Sequence, residues 1–109
     1  MAYYTLTYRL ADDYLERRGE FRAEHLAHVA RFRESGLLHL AGAYAKPADE
    51  ALLVFDANEA AEVEAFAKTD PYVREGLVSG WRVRRWMVVS AANAAPTPPG
   101  PPRKSWTSS

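Results

Sequence analysis

The order in which strand-like and helix-like segments follow one another is the feature that most constrains the fold of this chain. The first segment, Tyr3 to Arg9, is rich in tyrosine and threonine, and its larger side chains fall on one side of a pleated strand. Asp12 or Asp13 can then cap a first helical turn, and Gly19 is predicted to interrupt the helix. A longer helix with an apolar side is predicted from about Glu20 to Ser35. The chain therefore opens with a strand followed by a helix.

Two further strands are predicted to form a hairpin. The segments from Leu37 to Tyr44 and from Ala51 to Phe55 are both rich in apolar residues. The sequence between them, Lys46 to Glu50, is polar and contains a proline, which is typical of a turn. Strands two and three are therefore expected to be neighbours in the sheet.

A second helix and a fourth strand are predicted to complete the fold. Asn58 or Asp56 can cap a helix that reaches about Lys68. The apolar side of that helix is predicted to consist of Val63, Phe66 and Ala67. Asp70 begins a short further turn, because aspartate is a favoured N-cap and the proline that follows it is favoured at the first helical position. The segment from Trp81 to Val89 is predicted to be strand four.

The resulting order, β-α-β-β-α-β, is typical of a ferredoxin-like α+β sandwich with a four-stranded antiparallel sheet. Both helices then cover one face of the sheet and leave the other face bare. Strand three is apolar on both sides, because Leu53 and Phe55 alternate with Leu52 and Val54. A bare apolar face usually has a partner. The sequence therefore predicts a homodimer that packs sheet to sheet.

The last nineteen residues differ in composition from the rest of the chain. Five of the seven prolines lie between Ala91 and Ser109, where the one large apolar side chain is Trp106. Such a segment cannot build a core. We therefore expect one folded domain over residues 1–90 and a disordered tail over residues 91–109. Residues Pro98 to Arg103 match a P-x-x-P-x-R polyproline ligand, but proline-rich tails meet this pattern by chance, so an SH3-type partner is the less favoured interpretation.

The charge balance argues against several classes of partner. Fourteen lysines and arginines equal fourteen aspartates and glutamates, whereas nucleic-acid-binding surfaces carry an excess of positive charge, so we expect no nucleic-acid partner. No apolar run approaches the roughly eighteen residues of a membrane span, and no secretory signal is visible. The absence of cysteine excludes disulfides and thiolate nucleophiles and fits a cytoplasmic protein.

The three histidines are candidates for a functional site. A metal site of the zinc type needs three convergent ligands, and the i,i+3 spacing of His25 and His28 is merely compatible with one. We therefore expect no metal, with His28 at the surface and His39 an ordinary residue of strand two. His25 differs because it borders the apolar side of its helix, where a carboxylate can hold a histidine for acid–base catalysis. A structural histidine at the same border is the alternative.

Asp70 likewise has two interpretations. As the N-cap before Pro71, it accepts a backbone N–H, an interaction that stabilises a helix by about 1 kcal/mol. As a functional residue, it faces His25 across the cleft between helix and sheet. The spacing along the chain does not decide between these interpretations.

Several short motifs, in this order, resemble the YCII-related family of the dimeric α/β-barrel superfamily. The motifs are Leu15-Glu16-Arg17-Arg18, Arg22-Ala23-Glu24-His25-Leu26, Gly36-Leu37-Leu38-His39-Leu40-Ala41-Gly42, Asp70-Pro71-Tyr72 with Gly76-Leu77, and Arg85-Trp86. The resemblance extends over the body of the chain and implies a ferredoxin-like fold and a homodimer. It also implies that the histidine of the Arg-x-x-His-Leu motif and the aspartate of the Asp-Pro motif, here His25 and Asp70, form an active-site pair.

The resemblance implies proton-transfer chemistry on a small organic acid or phenol, since one branch of the family looks like dehydrochlorinases and the superfamily includes muconolactone isomerases. We therefore expect a lyase or isomerase without a cofactor, in which His25 moves a proton and Asp70 fixes its tautomer. Arg22 is expected to neutralise an anionic substrate, and Tyr72 to line the pocket. The alternative is a non-catalytic dimeric module that binds a small ligand or another domain. An open pocket beside His25 favours the enzyme, and a sealed, fully paired His25 favours the module.

Overall fold

The sheet has four antiparallel strands. They are β1 (Ala2–Leu10), β2 (Leu38–Ala43), β3 (Glu50–Ala57) and β4 (Val78–Trp86), and their order across the sheet is β2-β3-β1-β4. The computed structural model describes residues 2–92. The predicted polyproline motif and nearly all of the predicted tail lie outside this range.

Three helices accompany the strands. They are α1 (Tyr14–Glu34), α2 (Ala60–Thr69) and the short α3 (Pro71–Arg74). The order of strands and main helices confirms the predicted ferredoxin-like α+β architecture. Within residues 2–92, no helix combines the length and the apolar character needed to cross a membrane.

The core lies between one face of the sheet and the helices α1 and α2. The predicted apolar side of α2 is confirmed, because Val63, Phe66 and Ala67 are completely buried. The ring of Phe66 lies 5.2 Å from that of Phe55 on β3 and 4.9 Å from that of Phe32 on α1, measured between centroids. Burying a side chain of this size contributes roughly 1.5–3 kcal/mol, so this aromatic cluster fixes both helices to the sheet.

Helix α1 runs without a break through Gly19, so the predicted interruption there is wrong. A glycine in a helix interior costs about 1 kcal/mol relative to alanine. Tyr14, before the glycine, is buried in the core, and Phe21, after it, packs against the same core. These contacts on both sides outweigh the local preference of one exposed glycine.

The start of α2 also differs from the prediction. Its N-cap is Glu59 rather than Asn58 or Asp56. Glu59 and Glu62 form a reciprocal capping box, in which the Glu62 carboxylate accepts the backbone N–H of Glu59 at 3.3 Å. Asp56 belongs to β3, where it pairs with Tyr3, and is therefore too early in the chain to cap the helix.

Strand β4 begins and ends three residues earlier than predicted. It begins at Val78, which is buried and pairs with Leu10. It ends at Trp86, which pairs with Tyr3 near the start of β1. Beyond that pair β1 offers almost no further backbone to bind, so the predicted extension to Val89 does not form.

Within the described residues, no helix covers the sheet face opposite α1 and α2. The Val54–Leu40 and Tyr3–Trp86 pairs lie on this face. Leu40 is 69% exposed and Trp86 is 48% exposed. The structure thus has the partly apolar open face that the pattern of strand three predicts.

Candidate functional site

Asp70 is positioned by the junction between α2 and α3. It is the N-cap of α3, and its Oδ1 accepts the backbone N–H of Tyr72 at 3.0 Å, with Pro71 at the first helical position. The side chain is completely buried. The local sequence Asp-Pro-Tyr therefore fixes both the start of the helix and the direction of the carboxylate.

The same carboxylate contacts two residues from distant parts of the chain. Nδ1 of His25, on α1, lies 2.8 Å from Oδ1. The hydroxyl of Tyr8, on β1, donates to Oδ2 at 2.6 Å. Together with the backbone N–H of Tyr72, three hydrogen bonds replace the water that the buried carboxylate has lost. The cap and the contact with His25 therefore coexist in one side chain.

This arrangement selects one tautomer of His25. The carboxylate of Asp70 is an acceptor, so Nδ1 carries the proton and Nε2 of the neutral ring carries a lone pair. Within residues 2–92, Nε2 makes no hydrogen bond. It is also not buried, because it is absent from the buried polar atoms that lack a partner. The His25 side chain is 16% exposed. Its second nitrogen is thus available to a molecule in the adjacent cleft.

Tyr72 fixes the plane of the imidazole ring. The two rings are stacked, with centroids 3.8 Å apart and planes 5° from parallel. Tyr14 in turn lies edge-on to Tyr72 at 5.8 Å. Burial raises the pKa of the Tyr72 hydroxyl, Tyr14 adds to this effect, and the guanidinium groups of Arg22 and Arg18 oppose it.

Tyr8 is a hydrogen-bond donor over the whole physiological pH range. Burial raises the pKa of its hydroxyl strongly, and the negative charge and hydrogen bond of Asp70 raise it further. A tyrosine with a raised pKa keeps its proton at neutral pH. The bond from Tyr8 to Asp70 therefore persists, and it leaves Oδ1 to His25 and the helix cap.

A cleft of about 310 Å³ opens beside His25, between α1 and the strands β2 and β3. Its wall on the sheet side consists mainly of small residues, and these leave room for a ligand. The residues that line the cleft are Tyr8, Leu10, Tyr14, Arg18, Arg22, His25, Leu26, Val29, Ala41, Gly42, Ala43, Ala51, Leu53 and Tyr72. A volume of this size accommodates a small organic molecule.

The structure brings the four predicted site residues together. His25, Arg22 and Tyr72 line the cleft, and Asp70 lies directly behind His25. Sequence reasoning missed Tyr8 and Arg18. Arg18 precedes Arg22 by one helical turn, and Tyr8 lies on the buried side of β1, where a tyrosine hydroxyl needs a partner. The spacing of the two arginines and the buried position of Tyr8 can both be read from the sequence. Neither shows which group the side chain contacts.

The other two histidines lie outside the cleft. His28 is only 3% exposed, so its predicted surface position is wrong. Its Nε2–H donates to the carbonyl of Phe66 at 3.0 Å, because α1 packs against α2 at this turn. His39 is an exposed residue of β2 that contacts Tyr3 edge-on. Among residues 2–92, no three histidine, aspartate or glutamate side chains are grouped so that they could hold a metal ion.

Known structures share this fold. A 5-chloro-2-hydroxyhydroquinone dehydrochlorinase from Burkholderia phenoliruptrix, solved with 2,5-dihydroxybenzoquinone, matches with a TM-score of 0.66 and 22% identity, over 77% of this chain and 92% of that one. A NIPSNAP-like domain protein from Burkholderia xenovorans has a TM-score of 0.52 and 15% identity, over 89% and 90%. A NIPSNAP family protein from Agrobacterium tumefaciens has a TM-score of 0.51 and 15% identity, over 80% and 91%.

Sequence comparison places the chain in a family. None of the curated proteins matches it in sequence at a significant level. The family model of the YCII-related domain matches residues 1–87, which is most of the chain. The solved structures, each less than 25% identical to the chain, share its fold. The chain therefore belongs to the YCII-related family.

Proposed function

We propose that the protein is an enzyme without a cofactor that transfers a proton on a small organic acid or phenol. In this proposal His25 accepts and returns the proton through Nε2, and Asp70 orients His25 and stabilises its protonated form. One observation carries the proposal. The completely buried carboxylate of Asp70 lies 2.8 Å from Nδ1 of His25, whose other nitrogen is available to a cleft of about 310 Å³.

The environment of His25 suits a base that must become charged during the reaction. When Nε2 accepts a proton, the imidazolium lies against the negative charge of Asp70, which stabilises it. The stacked ring of Tyr72 holds the imidazole in one plane. A positioned acid–base group typically accelerates a reaction by a factor of about 10² to 10⁴.

Two reactions need only this proton transfer. In an elimination, Nε2 takes a proton from the carbon next to the one that bears the leaving group. The C–H electron pair becomes the new double bond, and the leaving group departs as an anion. In an isomerisation, the imidazolium returns the proton to a different atom of the same molecule. Both reactions balance without an oxidant or a metal.

One structural neighbour and the open cleft support an enzyme over a binding module. The dehydrochlorinase that shares this fold is named for the loss of hydrogen chloride, which is an elimination. The cleft beside His25 is open, and His25 uses one of its two ring nitrogens within the described residues. These two features argue against a sealed, fully paired histidine, which would favour the binding module.

The open sheet face supports a homodimer as the working form. Leu40 and Trp86 are exposed on this face, where each pairs with another apolar or aromatic residue. A second copy of the chain that packs sheet to sheet would bury these side chains. The helices and the cleft lie on the opposite face and would stay accessible.

Proton transfer can be tested before the product is identified. A panel of small carboxylic acids and phenols, including 5-chloro-2-hydroxyhydroquinone, is incubated with the protein in D₂O. Exchange of carbon-bound hydrogen is followed by NMR, and chloride release by ion chromatography. At least one compound should react with the parent protein and not with His25→Gln. Equal rates in the parent and in His25→Gln, or no reaction across the panel, would favour the binding module.

A further inference from the structure

Two arginines of α1 line the cleft and have no carboxylate partner in the described part of the chain. Arg18 and Arg22 lie one helical turn apart, and both contribute to the wall of the cleft. Within residues 2–92, neither has an aspartate or glutamate oxygen within 4.0 Å. Arg17, by contrast, pairs with Asp13 at 3.8 Å. The carboxylate of Asp70, which belongs to the same site, already accepts three hydrogen bonds from other groups.

The fold holds one of these guanidinium groups in place. The guanidinium carbon of Arg18 lies 5.7 Å from the centre of the Tyr14 ring, within the range of a cation–π contact. Like charges at positions i and i+4 of a helix repel one another. An anion bound between Arg18 and Arg22 would remove this repulsion, and the Tyr14 contact orients one of the two groups in advance.

The chemistry of the guanidinium group favours a carboxylate over a phenolate. Each guanidinium presents parallel N–H donors that match the two oxygens of a carboxylate. Two such groups supply more donors than the single oxygen of a phenolate accepts. The neighbouring wall, which includes Val29, Ala41 and Ala43, is apolar and adds no competing charge.

We infer that Arg18 and Arg22 form a carboxylate subsite, and that the ligand of this cleft is a small carboxylic acid. This inference deepens the proposed function, on which it rests, by choosing the organic acid over the phenol. Along the axis of α1, the Cα atoms of Arg22 and Arg18 lie about 4.5 and 10.5 Å from that of His25. A small molecule in the cleft thus reaches both the arginines and the imidazole.

The subsite is tested with two probes that differ by one carboxylate. Binding of 2,5-dihydroxybenzoate and of hydroquinone is measured by NMR titration of the amide signals. The parent protein should bind 2,5-dihydroxybenzoate at least about tenfold more tightly, since hydrogen bonds to charged groups are worth this much. In the Arg18→Gln/Arg22→Gln double variant the preference should fall to within about twofold.

Two further variants control the measurement. Arg17→Gln removes the same charge from a neighbouring position and should keep the preference, because Arg17 does not line the cleft. Arg22→Gln alone alters an exposed side chain and gives a folded variant if the double variant is unstable. It should lose part of the preference.

Three results would overturn the subsite: a preference that survives in the double variant, equal binding of the two probes, or no binding of 2,5-dihydroxybenzoate at about 10 mM. The proposed function fails differently, because binding requires no turnover. Carboxylate binding in a protein that transfers no proton would refute the enzyme and retain the subsite. Proton transfer without a carboxylate preference would refute the subsite and retain the enzyme.

Discussion

The carboxylate of Asp70 takes part in a helix cap and in the contact with His25, and substitutions separate the two roles. Asp70→Asn keeps an oxygen for the backbone N–H of Tyr72, and asparagine caps helices about as well as aspartate. We expect the free energy of unfolding to fall by about 1–2 kcal/mol, because the amide NH₂ cannot accept the Tyr8 hydroxyl as Oδ2 does. Proton transfer should fall by about 100-fold or more, because the charge beside His25 is lost. Urea unfolding and the D₂O exchange rate measure these two effects.

Asp70→Ala should behave differently. It removes the acceptor of Tyr8, His25 and the backbone of Tyr72 at once. An unsatisfied buried donor costs about 1–3 kcal/mol, so we expect a loss of about 3 kcal/mol or more, against about 1 kcal/mol for the cap alone. A loss of only about 1 kcal/mol by urea unfolding would show that the other two hydrogen bonds contribute nothing.

Single residues of the site differed in how far the sequence could predict them. His25, Arg22, Asp70 and Tyr72 belong to motifs that mark the family, and the structure brings all four to one place. Tyr8 could not be assigned, because its partner is 62 positions away and no local pattern encodes that contact. The burial of His28 was mispredicted, because it depends on how α1 packs against α2. The spacing of residues along α1 does not define that packing.

At the scale of the elements, the continuity of α1 makes a prediction of its own. Gly19 is exposed and has no positive φ, and a Cβ atom added to it would meet no other atom within 4 Å. Gly19→Ala should therefore raise the free energy of unfolding by about 0.5–1 kcal/mol. Gly36→Ala is the matched contrast, since Gly36 has a φ of +88° and should lose stability. A destabilised Gly19→Ala would indicate that the helix is broken at this position.

Elements were predictable where periodicity was strong and uncertain where local preferences compete. The 3.6-residue spacing of Val63, Phe66 and Ala67 correctly predicted the buried side of α2. The cap of the same helix was not predictable from the usual preference for Asn or Asp. Glu59 takes the position through its reciprocal bonds with Glu62, and these depend on the backbone that leaves β3.

At the scale of the whole molecule, the open sheet face predicts a dimer. Light scattering at micromolar concentration should give about twice the monomer mass of 12.2 kDa. Leu40→Glu should shift the protein toward the monomer, because Leu40 is 69% exposed on the open face and the charge would be buried in the dimer. Leu15→Glu, at an exposed leucine of α1, should leave the mass unchanged. A monomer mass for the parent protein would contradict the dimer.

The architecture of the whole molecule was predictable because few arrangements satisfy the order β-α-β-β-α-β. The cleft was not, since it depends on the opposition of α1 to the small residues of β2, such as Ala41 and Ala43. Those residues are separated from His25 by the end of α1 and a turn. Only the packed fold brings these β2 residues to the side of the cleft opposite His25.

The protonation state of the His25 ring is the quantity on which the proposed proton transfer depends most directly. Two-bond ¹H–¹⁵N correlation spectra of the neutral ring show which nitrogen carries the proton. We predict that Nδ1 carries it, held by Asp70, and that Nε2 is unprotonated and changes its ¹⁵N shift when a carboxylic acid fills the cleft. A ring protonated at Nε2, or an Nε2 shift that no ligand alters, would contradict the pairing of His25 with Asp70 as a catalytic unit.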